Sequence, residues 1–143
     1  MPMFTVETTY HLPVYRHRNV EADSLAQACR QAVEDDDWTR SERDYDSSGE
    51  VYVSGAWQGG DAAYRGPALD VPSHYGETEQ RKAAHFDALL AVLREPARPM
   101  GLSAVEFERW LPRALAVIAT ADAILEGRPD PDGATKVPGQ ESI

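Results

Sequence analysis

The chain has 143 residues, an ordinary apolar share of 42% and a formal charge of −10, enough material for one domain with a real core and too acidic for direct binding to nucleic acid phosphates. No apolar run approaches the ~18 residues a membrane helix needs, the start lacks the basic-then-apolar order of a secretory signal, and a lone cysteine, Cys29, has no internal disulfide partner. These features predict a cytoplasmic protein without membrane contact.

Residues 4–14 alternate, with Phe4, Val6, Thr8, Tyr10, Leu12 and Val14 on one parity, which predicts a half-buried strand with that parity inward. Pro13 places the end of the strand at an edge or a bulge. Ser24 and Gln27 make a capping pattern that opens a helix. Leu25, Ala28, Cys29, Ala32 and Val33 form its apolar face, so Cys29 reads as a core thiol. The acids of "EDDDW" oppose the helix dipole and end the helix, and Trp38 is expected to fold back onto the core.

A polar loop, "TRSERDYDSSG", leads into "EVYVSGAW", where Val51, Val53, Gly55 and Trp57 share a parity. The turn signal "QGGD" and the weaker run "AAYRGPALDV" predict a hairpin. Ala83, Phe86, Leu90 and Leu93, with Leu89 beside them, mark a second helix ending at Pro96. Ser103 and Glu106 cap a third, whose stripe takes in Val105, Trp110, Leu111, Ala114, Leu115, Ile118, Ala121, Ile124 and Leu125. Pro112 is expected to kink or split it, and Gly127 followed by Pro129 to end it. The reading is α+β, in the order β-α-β-β-α-α: a small antiparallel sheet of three to four strands packed by three helices. One domain covers 1–127, and 128–143 is a flexible tail.

Charge is concentrated. Residues 21–50 carry ten acids and three bases, a net −7 that leaves only −3 for the rest of the chain. "RDYDSSGEVYV" places Asp44, Asp46, Ser48, Gly49 and Val51 as the opening of an EF-hand loop would, but Gly55 stands where its bidentate glutamate is required and a strand follows instead of a helix. Asx-turn chemistry accounts for the same residues, so Asp44, Asp46 and Ser48 read as a turn, with a weak cation site as the alternative. His11 and His17 sit beside Arg16 and Arg18 in a basic patch expected to pair internally with the acids. No nucleophile elbow, P-loop, dinucleotide fingerprint or histidine metal motif occurs, and no cofactor is predicted.

"NVEADSLAQACRQAVEDDDW", residues 19–38, resembles the strand-end to alanine-rich helix step of small bacterial mobile-element proteins of the DpnD/PcfM-like kind. That resemblance implies a bacterial accessory protein and brings no catalytic residues with it. The residues themselves suggest a non-enzymatic, acidic protein-interaction module, an inhibitor or nucleic-acid mimic that engages a basic protein surface. Its contact residues would be Asp35, Asp36, Asp37, Asp44, Tyr45, Asp46, Tyr52 and Tyr64, acids for steering and tyrosines as anchors. The competing expectation is a small divalent-cation-dependent enzyme or cation-binding protein built on Asp35, Asp37, Asp44 and Asp46.

Overall fold

A computed structural model describes residues 1–131; residues 132–143, most of the expected tail, lie outside the described part. The class is α+β with three helices. The strands form two antiparallel pairs, not one sheet of three or four, and each pair belongs to a different compact unit. One unit is Tyr10–Glu50; the other combines Met1–Thr9 with the chain from Val51 onward.

In the larger unit, strand β1 (Phe4–Thr9) pairs with a strand reached much later, Tyr52–Gln58. The register runs Thr5 to Trp57, Val6 to Ala56 and Glu7 to Gly55, then shifts so that Thr8 meets Val53 and Thr9 meets Tyr52. Ser54 is the extra residue of a bulge, and a bulge reverses parity. Val53 therefore does not share a face with Trp57; Tyr52 does. The inward face of β1 is also the opposite of the expected one. Phe4 and Val6 are each 53% exposed, whereas Thr5, Glu7 and Thr9 are partly covered. The cause is Trp57, which is buried and lies across from Thr5. Its ring is the largest apolar surface of the pair, and it selects the face.

The run 62–71 forms no strand, so the expected hairpin does not close; it turns across the sheet, with Leu69 N–H bonded to the Ala56 carbonyl. Two helices complete this unit, Thr78–Arg94 and Ala104–Leu125. The second opens on the expected capping box of Ser103 and Glu106. It runs through Pro112 without a break. Pro112 is exposed, and side chains on either side of it tie the helix to its neighbour: the Trp110 indole N–H donates to the Val92 carbonyl at 2.8 Å, and Arg113 pairs with Glu95 at 2.8 Å. His85 Nε2 meets the Val117 carbonyl at 2.8 Å, and Arg81 reaches the Arg128 carbonyl and Asp130. From Val92–Trp110 through His85–Val117 to Arg81–Arg128 the pairings descend along one helix as they climb the other, so the two form an antiparallel hairpin. No helix among the described residues is long and apolar enough to cross a membrane.

In the smaller unit, strand β2 (Val14–Tyr15) pairs with β3 (Glu42–Arg43) around helix α1 (Leu25–Glu34). With these labels the strand Tyr52–Gln58 is β4, and the helices of the hairpin are α2 and α3. Ser24 caps α1 as expected, its hydroxyl accepting from Gln27 N–H. The apolar face of α1 is not covered as expected: Ala28 and Ala32 are half-buried, while Leu25 (81%), Val33 (83%) and Cys29 are exposed. Cys29 is thus no core thiol. No residue of this unit is buried.

Candidate functional site

Polar chemistry in the Tyr10–Glu50 unit is organised by two arginines. The last turn of α1 holds no cation of its own. Arg16 supplies one from the strand side, donating to the Ala32 carbonyl at 2.9 Å and to the Asp35 and Asp37 carbonyls. A guanidinium at a helix C-terminus both satisfies open carbonyls and offsets the dipole. Its plane lies over the Trp38 ring at 3.8 Å, so Trp38 packs on a cation instead of an apolar core and stays half exposed. Arg18 adds an ion pair to Asp35 at 3.1 Å and binds the Asp37 carbonyl.

The internal pairing expected of the basic patch thus forms through Arg16 and Arg18. It engages two of the acids proposed as partner contacts. The Asp37 N–H donates to the Asp35 carboxylate, which, with help from Arg18 and Arg16, holds it below the usual range. The Thr39 hydroxyl and N–H do the same for Asp37. Asp36, between them, is exposed and takes no part.

Asp44 behaves as an Asx residue. Its Oδ1 accepts from Asp46 N–H at 3.1 Å and Ser47 N–H at 3.2 Å, capping a single 3-10 turn, Tyr45–Ser47. One carboxylate oxygen is thereby committed to the backbone. Gly49 N–H closes the loop on the His11 carbonyl at 2.8 Å. Tyr45 is 65% exposed, and Asp46 and Ser48 are exposed. Among the described residues, no three His, Cys, Asp or Glu side chains are grouped to hold a metal ion.

Tyr52 and Tyr64 belong to the other unit. Tyr64 holds a positive φ of 62°, a region side-chain-bearing residues seldom occupy. That conformation lays its ring against Trp57, centroids 4.8 Å apart, and brings its hydroxyl to the Glu7 carboxylate at 2.5 Å. Ser54, the bulge residue, donates to the other Glu7 oxygen at 2.7 Å and meets Thr9 Oγ1 at 2.6 Å. The Tyr64 and Ser54 hydroxyls hold the Glu7 carboxyl below its usual range, and Glu7 in turn raises the Tyr64 phenol. This Thr9–Ser54–Glu7–Tyr64 chain was not legible from the residues. The only trace in the sequence is an acid on the polar parity of β1, and its partners depend on a bulge that no local pattern announces. The chain of bonds pins loop 59–66 over Trp57, aided by Thr5, whose hydroxyl donates to the Gly59 carbonyl and accepts from Ala62 N–H.

The chain matches no protein-family model, no curated protein and no solved structure.

Proposed function

We propose that the chain is a non-enzymatic, acidic protein-interaction module of a bacterial accessory type, which engages a basic protein surface through the Tyr10–Glu50 unit. One observation carries this reading: within that unit no apolar residue is buried, and large apolar and aromatic groups (Leu25, Val33, Trp38 and Tyr45) are displayed among acids. The unit holds ten acids against five bases. Such a surface draws a basic partner by long-range attraction and is completed by burial of aromatic anchors. Asp35 and Asp37 work as organisers held by Arg16 and Arg18, and Asp44 as a turn former. Asp36, Tyr45 and Asp46 are the residues that reach a partner. Tyr52 and Tyr64 belong to the larger unit, where Tyr64 serves the loop over Trp57, and the proposed surface does not include them. A protein that grips nucleic acid through lysines and arginines is the kind of target this surface fits, and occupying that grip inhibits it.

The test is affinity capture from a bacterial lysate with the wild type and with Asp36→Asn, Tyr45→Ala, Asp46→Asn combined. The expected result is a basic protein retained by the wild type, released by salt and lost in the triple variant. Capture that is indifferent to both salt and the triple change would refute the reading.

A further inference from the structure

Hydrogen bonds join the α2–α3 hairpin at His85–Val117 and Val92–Trp110. The covered positions in step with these are Ala84, His85, Ala88 and Val92 on one helix, and Trp110, Ala114, Val117 and Ile124 on the other. The large apolar side chains fall one residue later: Phe86, Leu89 and Leu93 on α2, and Leu111, Leu115, Ile118 and Leu125 on α3. In a right-handed helix the next residue turns by about 100°. Because the helices are antiparallel, that turn carries both stripes to the same side of the pair. These seven side chains are 36–71% exposed. At about 200 Å² for a large side chain they display roughly 750 Å² of apolar surface, above the roughly 300–600 Å² of a typical monomer's largest patch and close to the roughly 800 Å² that one partner contributes to a standard interface.

We infer that this face is a homodimer interface, on which the hairpin of a second copy seats to form a four-helix bundle. Charge selects a second copy over a basic partner. Although the chain is at −10, Thr78–Leu125 carries six acids and six bases, so two hairpins approach without net repulsion, and a cationic protein finds no attraction there. Spacings of 3 and 4 residues along the α2 stripe, and of 4, 3 and 7 along the α3 stripe, are those of bundle seams. Each seam also holds one charge, of opposite sign: Lys82 precedes Phe86 by one turn on α2, and Asp122 follows Ile118 by one turn on α3. The pairing of Arg81 with Arg128 and of His85 with Val117 brackets these two at the same level of the hairpin. A two-fold axis running along the helices sets α2 against α3 of the partner and brings Lys82 of each copy to Asp122 of the other. Among the described residues, Lys82 is paired with Glu79 on its own helix, at 3.9 Å.

The test is sedimentation equilibrium of the full chain over a concentration series. The expected mass is twice 15.8 kDa. Leu115→Glu, which places a carboxylate in the seam, weakens association by at least about a hundredfold while helical circular dichroism is kept. Lys82→Glu and Asp122→Lys each weaken it roughly fivefold, and the two together restore it; this swap decides the matter if Leu115→Glu fails to fold. A wild-type mass of one chain throughout overturns the inference and leaves the face to a different protein or to residues 132–143. A dimer untouched by both Leu115→Glu and the charge reversals overturns it equally.

Discussion

Replacing Gly55 with alanine is expected to destabilise the β1–β4 unit, although the same change in an ordinary strand stabilises it by about 0.5–1 kcal/mol. The reason is the Trp57 ring, which lies over Gly55. A Cβ built there would stand 2.5 Å from Cη2 and 3.1 Å from Cζ3. The ring has little room to retreat: Trp57 is only 4% exposed, and Tyr64, anchored by Glu7, lies against it at 4.8 Å. Overpacking of this kind costs about 1–3 kcal/mol. Gly60→Ala is the control. Its Cβ would meet Met3 Sδ at 2.8 Å, but Met3 is 67% exposed and its flexible end swings away. Urea unfolding followed by circular dichroism should separate the two variants, run at one protein concentration because self-association makes stability concentration-dependent. A Gly55→Ala midpoint equal to or above that of the wild type would refute the argument that the ring and its anchor dictate the residue at position 55.

Two further outcomes follow from the smaller unit. Asp35 and Asp37 have lowered pKa values in the folded chain, so the stability they contribute is complete above their ordinary value of 3.8 and is lost as pH falls through the depressed values. Amide protection in Tyr10–Glu50, taken relative to the intrinsic exchange rate at each pH, should therefore fall below about pH 4, and Asp35→Asn should show that lower protection already at neutral pH; a flat protection profile in the wild type would argue against the arginine-held arrangement. Calorimetric titration with Ca²⁺ at physiological ionic strength should show no saturable micromolar binding, because Asp44 Oδ1 is engaged by Asp46 and Ser47 N–H and no glutamate closes the shell at Gly55. One-to-one binding abolished by Asp44→Asn with Asp46→Asn would restore the cation site.

Local chemistry alone determined the three helices, the starts of the first and third and the stop of the second, because caps and apolar periodicity act within a few residues: Ser24, Ser103 with Glu106, and the stop before Pro96 are all where residue pattern places them. The acidic character of 21–50 and the turn at Asp44 belong to the same level. Tertiary structure decided the rest. Which face of β1 turns inward follows from Trp57, some fifty residues away, and from a bulge at Ser54 that period-two counting passes over. Pro112 does not break α3, because packing against α2 holds both sides of the missing bond. The nine-residue apolar stripe of α3 reads in sequence as one core face, yet it is too wide for a single neighbour. α2 covers the Trp110, Ala114 and Ile124 side, and Leu111, Leu115, Ile118 and Leu125 are left at the surface. A residue pattern shows that a helix has apolar surface to bury; only the positions of its neighbours show how much of that surface one chain can cover.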